Sequence, residues 1–240
     1  MSKAELPVFS DNLRSSASWQ DLLARAQEPW RVSLTAADSG AALEADLRDR
    51  QLAGLLHLGA RAGESLDEPR VRAAANLVSG WAREEGARLD TGRLLELQGT
   101  LLGAAGTEDL LRKTEPLPIH ALHDPTPVIL LPRMLDHAFD WFTTPGFNEL
   151  HPVEQAAVVY LRLLDLHPFP ARNEPSAILA AGFYTERAAL PPLIVSPEAE
   201  TLARYATVFE AAFRMLTQPL VEFFAELLVR AMRGGLSAER

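Results

Sequence analysis

The stretch Leu166-His167-Pro168-Phe169-Pro170-Ala171-Arg172-Asn173-Glu174-Pro175-Ser176 decides how this chain folds. Upstream of it, Val153, Ala156, Ala157, Tyr160, Leu163 and Leu164 track one helical face, while Val158, Val159, Leu161 and Leu166 fill the others. A helix apolar on most sides belongs in the middle of a helical domain. Downstream, Ala177 to Leu190 reads as a second core helix, with Phe183 and Tyr184 as its large packing residues. The pattern predicts helix, tight polar loop, helix, with an imidazole at the end of the first and the free N-terminus of the second a few residues on. Backbone N–H groups and the helix dipole favour an anion at such a terminus. A His at a helix end also serves as a C-terminal cap, so residue type alone leaves His167 open between a structural and a chemical role.

The flanking segments extend the helical pattern. Ser18 can cap a short helix from Trp19 to Gln27, which Pro29-Trp30 should end. Trp19 and Trp30 are expected as packing anchors, because amphipathic aromatics bury much area. Asp38 to Arg61 carries Leu43, Leu47, Leu52, Leu55, Leu56 and Leu58 at approximately helical spacing. Asp67 and Asp90 each cap a further helix, the first with Pro69 in its opening turn and an end near Gly86, the second closed by Gly103 and Gly106. Pro132 opens a helix through Leu135, Ala138, Phe139 and Phe142. Glu198 to Leu216 and Leu220 to Met232 are amphipathic, and Gly234-Gly235 should end the last helix. The fold class is therefore all-α, divided into an N-terminal helical extension over 1–89 and a helical domain with C-terminal helices over 90–240.

Residues 113 to 131 break the rhythm, since Pro116, Pro118, Pro125 and Pro127 exclude a helix. Pro118-Ile119-His120-Ala121-Leu122 and Val128-Ile129-Leu130 could be short extended pieces forming a β-hairpin. His120, His123 and Asp124 could be read as a metal cluster, but zinc needs three or four convergent ligands, which a Pro-rich loop does not arrange by spacing alone. No metal site is expected.

Composition narrows the function classes. With 23 Lys and Arg against 32 Asp and Glu, the net charge is −9, a balance that repels phosphate backbones and argues against nucleic acid. There is no Cys, which excludes disulfides, thiolate metal sites and Cys nucleophiles and fits a reducing compartment. Nothing near Met1 resembles a signal peptide and no apolar run reaches membrane-spanning length, so a soluble cytoplasmic protein is expected.

The loop His167-Pro168-Phe169-Pro170-Ala171-Arg172-Asn173-Glu174-Pro175 resembles the signature H-P-F-x-[D/E]-G-N-[G/K]-R of the Fic (Fido-fold) family. His151-Pro152-Val153-Glu154-Gln155-Ala156-Ala157 resembles the family's helix start, and Leu190-Pro191-Pro192-Leu193-Ile194 its exit, so the likeness extends over roughly residues 90 to 215. The resemblance implies a helical domain that transfers AMP, or another phosphate-containing group, from a nucleotide to a protein hydroxyl. It also implies a β-hairpin flap at Pro118, Ile119 and His120 that aligns the target. Prolines there remove donors that strand pairing would use. Many members carry an inhibitory [S/T]-x-x-x-E-[G/N] helix; Glu44 is a faint echo, but Gly40 and Ala45 break that motif, and Glu44 is expected as a solvated residue.

By the same resemblance His167 is the general base, a role worth on the order of 10² to 10⁴ in rate. The family's metal-binding acid is Ala171, its glycines are Arg172 and Glu174, its phosphate-gripping Arg is Pro175, and its second Arg is Ile178. Asn173 alone survives in place among the polar loop residues. Pro175 suits a first helical turn, which would set Glu174 near the N-cap, where an anionic ligand would otherwise go. The first reading is a Fic-fold protein with lost or greatly weakened nucleotide transfer, acting as a binding or regulatory module for a protein partner, without a cofactor. The alternative is an active transferase with His167 as base and Arg172 and Asn173 on the donor, ATP or another nucleotide, with or without Mg2+.

Overall fold

Because Val153, Val159, Tyr160, Ala177, Leu179 and Ala181 are all within 1% of full burial, the two helices that carry them form the centre of the molecule. The computed structural model describes residues 17–35 and 39–237, with side chains placed for 19–35 and 40–234. Among the described residues it is helical: α1 (Ala17–Thr35), α2 (Ser39–Arg61), α3 (Glu68–Arg83), α4 (Thr91–Leu102), α5 (Leu131–Trp141), α6 (Pro145–Asn148), α7 (Pro152–Leu166), α8 (Asn173–Arg187), α9 (Ala199–Phe213) and α10 (Gln218–Ser237). α7 packs along α8, α3 and α4 cover α8 from one side, and α10 bridges α7, α9 and α1. One apolar cluster runs through them from Trp19 to Met232. The expected helix start at Asp38 and the segment beginning at Met1 lie outside the described residues.

Local signals place most helix ends. Asp67 and Asp90 are N-caps whose carboxylates accept the backbone N–H of Arg70 and Arg93. α7 opens with a reciprocal cap: His151 Nδ1 accepts the Val153 N–H at 3.2 Å, and Glu154 Oε2 accepts the His151 N–H at 2.8 Å. Gly103 ends α4 at φ +67, a left-handed angle that glycine adopts without strain.

Several expected boundaries are corrected. α1 does not stop before Pro29 but continues through it to Thr35. An interior proline costs about 3 kcal/mol, yet carrying the helix onward seats Trp30 at 2% exposure with its indole N–H on the Ala189 carbonyl. Burying about 200 Å² of indole at ~25 cal/mol/Å² is worth about 5 kcal/mol, which outweighs the proline. α10 runs past Gly234-Gly235 to Ser237; a Cβ on Gly234 would meet Arg50 Nη1 at 2.7 Å, so this glycine gives α2 room rather than ending a helix. α3 ends at Arg83 with Glu84 as its C-cap, near Gly86 as expected, whereas α8 begins at Asn173, four residues before Ala177. The short α6, capped by Thr144, was not expected as a helix.

The β-hairpin does not form: no described residue is in a strand, and the segment from Lys113 to Pro127 is an irregular loop that ends in a 3-10 turn at Val128–Leu130. Its four prolines supply no N–H for a ladder. Trp19 and Trp30 are core residues, as expected. No described helix is long and apolar enough to cross a membrane.

Candidate functional site

α7 ends because His167 turns left-handed, at φ 45 and ψ 59, and Pro168 follows it. Its N–H still reaches Leu163 O at 3.0 Å, so His167 is the helix C-cap. The chain then dips, burying Phe169 to 1% exposure, and turns back into α8. Asn173 closes this turn on both sides: its Oδ1 accepts the Phe169 N–H at 2.9 Å and its Nδ2 donates to Phe169 O at 2.8 Å. From α4, the buried Gln98 donates to Ala171 O at 3.0 Å and accepts the Ser176 hydroxyl at 2.6 Å.

Arg172, the N-cap of α8 at φ 63, faces away from the site. Its guanidinium donates to the carbonyls of Leu101, at the end of α4, and Ser65. Its own backbone N–H, the kind of helix-N-terminal donor that binds anions, donates to Glu64 Oε1 at 2.7 Å. The other oxygen of Glu64 is shielded from solvent and has no hydrogen-bond donor. A carboxylate does occupy this terminus, but it comes from Glu64, beyond α2, and not from Glu174. Glu174 instead accepts the Tyr205 hydroxyl of α9, and Tyr205 accepts that of Tyr160. Burial drives both tyrosine hydroxyls well above their ordinary value, so both remain donors. Burial also raises Glu174, against the opposing Tyr205 hydrogen bond.

Beneath the loop lies a cavity of about 520 Å³ whose wall includes His167, Asn173, Glu174, Glu64, Tyr205 and Phe209. Ile119 and His120 reach its rim, whereas Pro118 and Arg172 are not in its wall. The His167 imidazole is held down at about 4, first by burial, then by His123 and Arg112 beside it, so it is uncharged at neutral pH. Its Nδ1 is shielded and has no hydrogen-bond partner.

The position that the family resemblance assigns to a metal-binding acid is filled by Ala171, a side chain without a ligand atom. Among the described residues no three His, Asp or Glu side chains converge to hold a metal ion. His120 Nδ1 accepts the Leu122 N–H, while His123 Nδ1 accepts the Ile119 N–H and its Nε2 donates to Asp165 O, so both imidazoles are used in shaping the loop. Glu44 is paired with Arg83 on the surface, far from this wall.

Sequence reasoning missed Glu64, Gln98, Tyr205 and Arg112. Gln98 alone had a signal, an amide inside the apolar stripe of Leu94, Leu97 and Leu101. Glu64 and Tyr205 act on partners remote in sequence, and Arg112 mainly on backbone carbonyls, and periodicity reports neither.

No protein-family model matches the chain. It is 28% identical over 107 residues to the protein adenylyltransferase Fic of Drosophila grimshawi, a match covering 45% of this chain and 21% of that protein. The match to the same protein of Drosophila willistoni is 29% over 87 residues, covering 36% and 17%. The chain thus spans about a fifth of the length of the curated relatives it matches. Among solved structures, a Fic domain containing signaling protein from Bacteroides thetaiotaomicron superposes with a TM-score of 0.74 at 15% identity, covering 90% of this chain and 96% of that one. Fic-1 from C. elegans gives 0.71 at 19% identity, with 93% and 73% covered. IbpAFic2, covalently tethered to Cdc42 in its structure, gives 0.54 at 16% identity, with 87% and 70% covered. With the helical order, the His-Pro-Phe turn between two core helices, and these likenesses in hand, the chain is a Fic/Fido-fold protein.

Proposed function

We propose that this chain is a binding or regulatory module on the Fic fold, in which nucleotidyl transfer has been lost or greatly weakened. The observation that carries this reading is where Arg172 spends itself: its guanidinium lies on two backbone carbonyls and its N–H on the Glu64 carboxylate. The cavity therefore presents Glu64 and Glu174 where a triphosphate would bring its own negative charge. One carboxylate and one phosphate charge about 5 Å apart repel by about 3 kcal/mol at an effective dielectric of 20. Arg61, also in the wall, offsets part of this. The same reading takes a protein as partner, a cytoplasmic setting, and a division into a helical extension over 1–89 and the Fic-like portion over 90–240. The tethering of IbpAFic2 to the protein Cdc42 supports that class of partner.

One observation favours a second reading, an active transferase with a non-standard loop. His167 is neutral at physiological pH and lines the cavity, two conditions for a general base. In that reading Asn173 only shapes the loop and a donor must be bound without Arg172.

Calorimetric titration of the full chain with ATP and other nucleotides, with and without Mg2+, tests the first reading, alongside autolabelling with a radiolabelled nucleotide. No heat and no label are expected. Micromolar binding, or label that disappears in His167→Ala, would overturn it in favour of the transferase.

A further inference from the structure

Arg112 has no counterpart in any motif of the chain, yet it is 3% exposed and all three of its guanidinium nitrogens donate. Nε donates to His167 O at 2.8 Å, Nη1 to Thr114 O at 3.2 Å and to Glu115 at 3.3 Å, and Nη2 to Thr126 O. The Arg112 N–H reaches Pro168 O at 2.9 Å. One planar fork thus joins the first and last parts of the Pro-rich loop to the residue that carries the imidazole. A second tie runs parallel to it: buried His123 donates to Asp165 O at 2.8 Å, one turn before the loop, and accepts the Ile119 N–H.

We infer that Arg112 is the positioning residue for His167, and that through it the loop 113–127 and the imidazole behave as one unit: displacement of the loop by a partner changes the surroundings of the imidazole. The inference goes beyond the proposed function and does not depend on what the cavity binds. Arg112, His120 and His123 face the imidazole from the loop side; Arg61, Glu64, Glu174 and Glu210 share the cavity wall with it. His123, which with burial and Arg112 keeps His167 uncharged, leaves when the loop leaves, and the loop's cover over the ring goes with it. Glu64, Glu174 and Glu210, which lie in the cavity wall and not in the loop, stay. A guanidinium that bridges carbonyls at Thr114, Thr126 and His167 is a geometric device, since its planar donors are fixed relative to one another.

The test is the titration of the histidine C2–H resonances by NMR in the full chain, with His167 assigned by its absence in His167→Gln. In Arg112→Met the His167 midpoint should climb from about 4 toward its ordinary value, part of the depression remaining because burial is its first cause. Backbone amides of 113–127 should exchange at least about tenfold faster than in the parent, since they lose the bonds that close the loop. Lys113→Gln, which alters an exposed ammonium paired with Asp109 outside the tie, should change neither. If Arg112→Met does not fold, Arg112→Lys keeps the charge but cannot span both carbonyls, and should loosen the loop with a smaller shift of His167. In the parent protein, loop exchange, corrected for the intrinsic rate, should rise as the pH falls through the His167 midpoint, and that rise should vanish in His167→Gln. A loop that loosens while His167 titrates as before, or exchange profiles that coincide in the parent and His167→Gln, would overturn the inference.

Discussion

Asn173→Ala separates a structural from a ligand-binding role for the one polar loop residue that matches the family signature. The side chain makes two hydrogen bonds, at 2.9 and 2.8 Å, both to the backbone of Phe169, and both partners are buried. Deleting the amide leaves an N–H and a C=O shielded from water. Each stranded group costs about 1–3 kcal/mol, and partial relaxation of the turn brings the sum to about 2–4 kcal/mol. Urea denaturation followed by tryptophan fluorescence measures this directly, with an unchanged slope required so that the midpoint reports stability. Asn173→Asp keeps the acceptor for the Phe169 N–H but sets a carboxylate against the Phe169 carbonyl, so it should be at least as destabilising. A loss below about 0.5 kcal/mol, the range of neutral surface substitutions, would refute the argument and leave Asn173 free to serve a ligand.

Three further outcomes follow from other parts of the structure. Pro29→Ala restores a donor inside α1 and removes a ring clash, so the midpoint should rise by about 1–3 kcal/mol in the same assay. Arg48→Met strands Glu186, 10% exposed and otherwise bonded to Ser79, and should cost about 3–5 kcal/mol; replacing Glu186 by an apolar residue as well should recover most of it, as read by thermal melts. His167 binds its proton more weakly folded than unfolded, so stability tied to it is complete above about pH 6.5, declines as the unfolded chain takes up the proton, and levels off below about 4. In His167→Gln, urea midpoints measured across that window should lose this slope.

The helices were legible where a local rule and the tertiary structure agree. Asp67, Asp90 and the His151-Glu154 pair mark their helix starts because each cap is completed within three residues. Pro29 and Gly234 misled because the same residue types that end an isolated helix are tolerated when the continuation is packed, around Trp30 in one case and against Arg50 in the other. At the site, the imidazole at a helix end and the bend around Phe169 could be read from the chain. The direction of Arg172 could not, since its acceptors lie 71 and 107 residues away and are backbone atoms that any sequence provides. Arg112 was invisible because its acceptors are also mostly backbone atoms: only Glu115 is a side chain, and that one is exposed.

The loop's own bonding explains how a His-Pro-Phe turn can persist without the residues that follow it in the family signature. Glycine at Arg172 would adopt φ 63 without strain; arginine adopts it because the N–H is held by Glu64 and the side chain by two carbonyls. Left-handed arginine is disfavoured locally, so these bonds must outweigh that strain. Once Glu64 supplies the anion for this N–H, a phosphate is no longer needed to satisfy it, and the chain's own groups complete the loop. The converse also holds. Any anion that enters must first displace a carboxylate that is part of the chain and loses no translational freedom by being there, so a free ligand starts at a disadvantage of several kcal/mol. Removing Glu64 therefore changes two things with opposite signs: it opens the terminus to an anion and withdraws the bond that makes Arg172 tolerable at φ 63.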